Sequence, residues 1–354
     1  MEFIRFDLLP AASGTLGVIT LDRCKALNAL TFDMVASLRV QLTTWATQPE
    51  VIAVVIQSEC PRAFCAGGDI RALYEGRNDY PGQLNFFEEE YQLNYLIGTY
   101  PKPIVALLQG IVMGGGAGLS IHASHRVACE TLRFAMPETG IGLFPDIGAS
   151  YFLNKMPGFL GRYLGLSGAH INLADAVYAG LVDYVISSNY YPEIIQALQQ
   201  MQGSPDSYHE MITEILIDFA VQPDQSMYQQ QQDFIDSIFC ANQVATILDY
   251  LCHDDGEWSQ AVLAHLQEKS PMSLTITLEA LRRAAQQPLD FCLQQDFLLI
   301  QGFLKSADLY EGIRAVVIDK DLQPVWQPNA LNLINDQVVS TYFDPAGKKM
   351  LPIQ

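Results

Sequence analysis

Two carboxylates lie eight residues apart in the stretch Phe134-Ala-Met-Pro-Glu138-Thr-Gly-Ile-Gly-Leu-Phe-Pro-Asp146-Ile-Gly148. Pro137, Gly140, Gly142, Pro145 and Gly148 stop any regular helix or strand from persisting there. The segment must fold back on itself, which can bring Glu138 and Asp146 to one small site. Two glycine-rich turns lie upstream, Ala66-Gly67-Gly68-Asp69 and Gly114-Gly115-Gly116. Each can aim a free backbone N–H at a substrate oxygen. Two carboxylates and two oxyanion donors are the parts needed for chemistry on an acyl group.

Each part also has an ordinary structural use. Asp146 precedes Ile147-Gly148-Ala-Ser-Tyr-Phe-Leu and fits a helix N-cap. Glu138 fits a surface loop acid, but Phe134, Met136, Leu143 and Phe144 around it predict an apolar wall. Such a wall would raise its pKa and suit proton transfer. The Gly67-Gly68 pair follows a strand and serves equally as a plain strand-to-helix turn. The second turn suits close helix–strand packing as well as an oxyanion at a helix N-terminus. It matches neither G-x-G-x-x-G nor a Walker A loop. His122 and His125 lack the acid of a zinc helix and read as structural. Gly118-Leu-Ser120-Ile-His122 lacks the closing glycine of a nucleophile elbow. Glu88-Glu89-Glu90 reads as a solvated helix face.

The elements that must position these groups follow from periodicity. Leu16–Leu21, Val51–Gln57, Ile104–Gln109, Val127–Glu130 and Val182–Ile186 predict strands. Phe32–Thr47 and Gln83–Tyr100 predict amphipathic helices between them, so the class is α/β with largely parallel pairing. A helix is expected over Gly115–Ser124, and Asn172-Leu-Ala-Asp175 reads as an N-cap with an acid three positions on. Beyond Asn189-Tyr-Tyr-Pro the chain turns Gln-rich and helical. Ile194–Met201, Ser207–Val221, Gln243–Cys252, Trp258–Lys269 and Leu274–Ala285 are the expected helices, with a break at Gln222-Pro-Asp-Gln-Ser. Gln229–Gln232 reads as a solvated helix face. The expected division is residues 1–190 as a core and residues 191–354 as a helical region packed over it.

At 354 residues, 49% hydrophobic and 17% charged, the chain can bury a large core. Its net charge of −19 argues against nucleic acid and anionic membrane surfaces, and asks an anionic ligand to find a local basic patch. The seven cysteines are odd in number and show no C-x-x-C spacing, so free thiols in a reducing compartment are expected. Met1-Glu-Phe-Ile-Arg-Phe-Asp is unlike a signal peptide and no apolar stretch reaches ~20 residues. A soluble cytoplasmic or matrix-type protein is the expectation.

These motifs, in this order, resemble the crotonase (enoyl-CoA hydratase/isomerase) superfamily, and within it the 3-hydroxyisobutyryl-CoA hydrolases. The text that carries the resemblance is Ala63-Phe-Cys-Ala-Gly-Gly-Asp-Ile-Arg-Ala-Leu-Tyr74, Phe86-Phe-Glu-Glu-Glu90-Tyr91 and Phe134-Ala-Met-Pro-Glu138-Thr-Gly. Near the C-terminus it is Asp308-Leu-Tyr-Glu311-Gly-Ile-Arg314-Ala-Val-Val-Ile-Asp319-Lys320-Asp321 and Pro324-Val-Trp326-Gln-Pro328. The resemblance implies a core of stacked ββα turns with a helical C-terminal region over the acyl pocket. It implies that the N–H groups of Gly68 and Gly115 hold a thioester oxygen and that Glu138, Asp146 and Glu90 line the acyl site. It places CoA along Lys25-Ala26-Leu-Asn28 and the Ala66–Ile70 turn, which includes Asp69. CoA is then part of the substrate, and neither a cofactor nor a metal is expected. Trimers or pairs of trimers are common among such relatives, so a homo-oligomer is implied too.

The resemblance also bears on the reaction. A hydratase of this type has one acid on the glycine-turn helix and a second at Glu138; here the first position is Gly118. Asp146 tilts the reading to hydrolysis of a short branched 3-hydroxyacyl-CoA in valine degradation. Glu138 attacks the thioester or activates water, and Asp146 binds the 3-hydroxyl or orients the water. An enoyl-CoA hydratase or isomerase, and a catalytically silent acyl-CoA-binding scaffold, are the other readings.

Overall fold

The computed structural model describes residues 3–353. Of the N-terminal segment read above as unlike a signal peptide, Met1 and Glu2 lie outside the described residues. Aliphatic runs become strands buried on both faces, as parallel pairing requires. The strands are β1 (Ile4–Ala11), β2 (Gly14–Leu21), β3 (Val51–Ser58), β4 (Ala63–Cys65), β5 (Ile104–Leu108), β6 (Ile111–Met113), β7 (His125–Ala128), β8 (Arg133–Ala135) and β9 (Tyr184–Val185). One sheet has the order β1-β2-β3-β5-β7-β9 and the other β4-β6-β8. β1 and β2 form an antiparallel hairpin, and the pairs from β2 through β9 are parallel. Successive passes of the chain thus lay one strand in each sheet, which is the stacked ββα spiral implied by the resemblance.

The chain divides into two units, each built from separate stretches of sequence. The first joins the chain up to Gly68 with Gln92–Phe134 and Ile171–Met227; the second joins Asp69–Tyr91, Ala135–His170 and Tyr228 onward. This differs from the single boundary expected near residue 190. The helices Tyr191–Gln199 and Tyr208–Phe219 bury Ile194, Leu198, Ile212 and Leu216 in one core with Leu16, Val55, Val105 and Val127 of the large sheet. Helical texture alone does not say which core a helix joins.

Within the first unit, the helix Phe32–Thr47 has the expected bounds, with Thr31 accepting from the Met34 N–H as its N-cap. Its Trp45 lies against Gly17, where an added Cβ would sit 2.8 Å from the indole ring. Asn172 accepts from the Asp175 N–H and caps the helix Leu173–Tyr178 as expected. The helix expected over Gly115–Ser124 is only Gly115–Gly118. Glycine is a poor helix former, and the chain must turn to enter β7 at His125. β7 itself starts two residues before the expected Val127, because His125 pairs with Val105. The β1 hairpin strand was not expected. Its mostly exposed or half-buried residues and its Pro10 are those of an edge strand.

The cysteine expectation is corrected. Cys24 and Cys60 are joined in a disulfide with Cα atoms 5.0 Å apart, and the other five cysteines are outside any disulfide. Neither spacing nor count could show that these two turns meet. Among the described residues, no helix is long and apolar enough to cross a membrane.

Candidate active site

The first unit builds the glycine turns. β4 runs into Ala66-Gly67-Gly68, where Gly67 has φ +111. A Cβ at Gly67 would lie 3.2 Å from the Met113 carbonyl oxygen and 3.6 Å from the Gly115 nitrogen, so the two turns sit side by side. Gly114, with φ +48, leads into the helix Gly115–Gly118. A Cβ at Gly116 would fall 2.1 Å from the Cys65 oxygen, so only glycine lets this helix start rest on β4. Among the described residues, neither the Gly68 nor the Gly115 N–H donates to a main-chain carbonyl. Both N–H groups can therefore donate to another acceptor.

The Lys25-Ala26 turn is tied to the same place. The Ala66 N–H donates to the Leu27 oxygen at 3.0 Å and the Leu30 N–H to the Gly67 oxygen at 2.8 Å. Leu27 and Asn28 are both left-handed, a conformation that the buried Asn28 side chain secures. Its amide donates to Ser58 Oγ at 2.7 Å and the Phe64 oxygen at 2.9 Å, and its oxygen accepts from the Arg23 N–H at 2.7 Å. The turn that carries Lys25 and Ala26 is thus bonded to the Ala66–Gly67 turn, with Lys25 exposed. Asp69 and Ile70 belong to the second unit, where the Asp69 carboxylate caps the helix Ile70–Glu75 by accepting from the Ala72 N–H.

The second unit builds the carboxylates. Glu138 opens a 3-10 turn, Glu138–Ile141, closed by left-handed Gly142. Thr139 Oγ1 donates to the Leu166 oxygen at 2.9 Å and the Leu143 N–H to the Glu138 oxygen at 3.0 Å. Asp146 is followed by Ile147 at φ +56 and Gly148 at φ +77, and the helix Ala149–Leu153 comes next. Gly148, not Asp146, holds the N-cap position, which leaves the Asp146 side chain for another use. It accepts from the Tyr91 hydroxyl at 2.7 Å. Glu90 and Tyr91 lie on the helix Tyr80–Gly98. The Glu88–Glu90 run is not a solvated face: Glu88 is buried against Lys349 and Glu90 is buried in the carboxylate cluster.

A fourth carboxyl, Asp296 of the helix Leu289–Phe303, accepts from the Gly148 N–H at 2.7 Å. Glu90, Glu138, Asp146 and Asp296 are exposed by only 3%, 5%, 4% and 0%. Among the described residues, no Lys, Arg or His pairs with any of them. One oxygen each of Glu90, Glu138 and Asp296 has no hydrogen-bond partner. Burial pushes all four above the ordinary carboxyl range. Asp146 rises least, to about 6, because the Tyr91 hydroxyl and its own main-chain N–H favour its charged form. Burial first, then the Asp146 charge, holds Glu138 well above its usual value. One group therefore ionises while its neighbour keeps a proton, a division that suits acid–base or nucleophilic work.

Sequence reasoning missed Tyr91 and Asp296. Tyr91 stood beside Glu90 in the quoted text. Asp296 carried a signal as well: it shares a helical face with Cys292, Phe297, Ile300 and Phe303, all buried. A lone acid on such a face needs a reason. His125 is the satisfied structural histidine expected, with Nδ1 2.9 Å from Ser124 Oγ and Nε2 3.2 Å from Thr213 Oγ1.

The profile of the enoyl-CoA hydratase/isomerase family matches residues 16–343. The chain belongs to this family. Among its relatives, the family member named 3-hydroxyisobutyryl-CoA hydrolase, mitochondrial, of Xenopus tropicalis is 40% identical over 98% of this chain and 91% of its own length. The human protein of the same name is 37% identical, over 98% and 90%. Among family structures, an enoyl-CoA hydratase from Rhodobacter sphaeroides superposes with a TM-score of 0.88 at 35% identity, covering 98% of this chain and 99% of that one. A carnitinyl-CoA dehydratase from Mycobacterium thermoresistibile gives 0.88 at 34%, covering 99% of both.

Proposed function

We propose that the chain is a thioester hydrolase acting on a short branched 3-hydroxyacyl-CoA, with 3-hydroxyisobutyryl-CoA of valine degradation as its substrate. The observation that carries this reading is the buried Glu138–Asp146 pair with its divided proton affinities. The full-length likeness to hydrolases of that name supports it. The N–H groups of Gly68 and Gly115 receive the thioester oxygen as it gains charge. Asp146, the carboxylate that ionises first, accepts the substrate 3-hydroxyl. That hydrogen bond disperses its charge and eases ionisation of Glu138. Ionised Glu138, more basic than an ordinary carboxylate, attacks the carbonyl or takes a proton from the attacking water. By the first route a C–O bond to Glu138 forms as the C–S bond breaks. CoA thiolate leaves and takes a proton, and water then splits the anhydride to the 3-hydroxy acid and Glu138. By the second, water adds directly and thiolate leaves. A homo-oligomer is part of this reading, and light scattering on purified protein counts its copies.

Hydration is disfavoured by Gly118, a position with no side chain on the glycine-turn helix. Purified protein mixed with 3-hydroxyisobutyryl-CoA is expected to release free thiol. Glu138→Gln and Asp146→Asn each lower kcat by ~10²–10⁴. Hydration of crotonyl-CoA without thiol release would mean a hydratase instead. Silence in both assays would favour an isomerase or a binding scaffold.

A further inference from the structure

We infer that Asp296 and Phe297, adjacent on the helix Leu289–Phe303, are positioning residues that together hold the Asp146 carboxylate in its working orientation. Asp146 has two supports, and these neighbours reach one each. The first support is the main chain that follows it. Ile147 is β-branched yet stands at φ +56, a strained conformation for such a residue that lasts only under external restraint. The Asp296 carboxylate supplies that restraint by accepting from the Gly148 N–H at 2.7 Å. The second support is the Tyr91 hydroxyl, 2.7 Å from Asp146 Oδ2. The Phe297 ring meets the Tyr91 ring edge-on, with centroids 6.4 Å apart and planes at 86°.

Asp296 is an unusual choice for packing. It is wholly buried, its Oδ1 has no partner, and its helical neighbours on that face are apolar. A leucine would bury more cheaply there. The acceptor for Gly148 is what the carboxyl contributes. Asp296 thus acts through a backbone N–H rather than on substrate.

The inference rests on Asp146 working in the thioesterase, so the test includes a readout that needs no turnover. Asp146 is titrated by carboxyl-carbon NMR in the full chain, beside kcat and KM for thiol release. Wild type is expected to titrate near about 6. Asp296→Leu frees the turn and loosens the Tyr91 bond. Its Asp146 midpoint moves up and kcat falls ~10²-fold, with KM held within about threefold. Asp296→Asn keeps an acceptor for Gly148 and recovers most of that loss. An unmoved midpoint and kcat in Asp296→Leu would overturn the inference. So would Asp296→Asn failing as badly as the leucine variant, because charge would then matter rather than the acceptor. If Asp296→Leu does not fold, Phe297→Leu carries the test: an upward midpoint supports the clamp and an unchanged one overturns it. A raised midpoint in a protein that releases no thiol supports the clamp while sinking the hydrolase reading, so the two failures are distinguishable.

Discussion

Glu138 and Asp146 differ in what surrounds them more than in what they are. Both are buried and each meets its own main-chain N–H, but Asp146 also has a phenolic donor, whereas Glu138 has an unpartnered oxygen and a neighbouring charge. Removing the donor should therefore act first on Asp146. Tyr91→Phe is expected to move the Asp146 step in the kcat/KM profile from about 6 to roughly 7, the equivalent of one lost charge-assisted hydrogen bond. A step that stays put would show that the phenol does not set it. Asp146→Asn removes the charge that opposes ionisation of Glu138. The residual activity of that variant should lose the step near 6, and its Glu138 step should move to lower pH. The glutamate was legible because its Pro/Gly setting and apolar neighbours are local. Tyr91 and Asp296 were not, because each meets the Asp146 turn only through a distant helix.

At the scale of elements, the glycine turns work because chain segments approach more closely than a side chain permits. The built Cβ at Gly116 lies 2.1 Å from the Cys65 oxygen, where backbone cannot yield cheaply. Gly116→Ala is expected to destabilise the fold by about 1–3 kcal/mol, read as a lower Tm. It should also displace the Gly115 N–H and cut thiol release. A variant with wild-type Tm and rate would remove the close approach from the account. The turns themselves were legible as Gly-Gly and Gly-Gly-Gly after strands. Their being side by side was not, because β4 and β6 pair in parallel across a long connection. For the same reason the Gly115 helix was overestimated, since its end is set by where β7 must begin.

The whole molecule should respond to pH through its buried acids. Glu90, Glu138, Asp146 and Asp296 all have folded pKa values above their ordinary ones. Such a group binds its proton more tightly in the folded chain than in the unfolded one. Its contribution is therefore greatest in acid and is lost as pH rises from the unfolded value through the folded value. For Asp146 that window runs from 3.8 to about 6, and for the others it extends higher. The net charge of −19 at pH 7 pushes the same way by self-repulsion. Tm is expected to fall from pH 5 to pH 8, with a shallower fall in Asp296→Asn. A Tm that rises over this range would mean that these acids are not buried as described. The amino-acid order by itself determined what depends on near neighbours. It set the α/β alternation, the N-cap at Asn172, the glycine turns and the folded-back segment bearing Glu138 and Asp146. Only the tertiary structure decided which core the helices at 191–219 join, that Cys24 meets Cys60, and that Tyr91 and Asp296 support the Asp146 turn. The physical reason is range. Backbone dihedrals and capping are set within a few residues, whereas burial and hydrogen-bond partners across 55 and 148 residues exist only once the helices have packed.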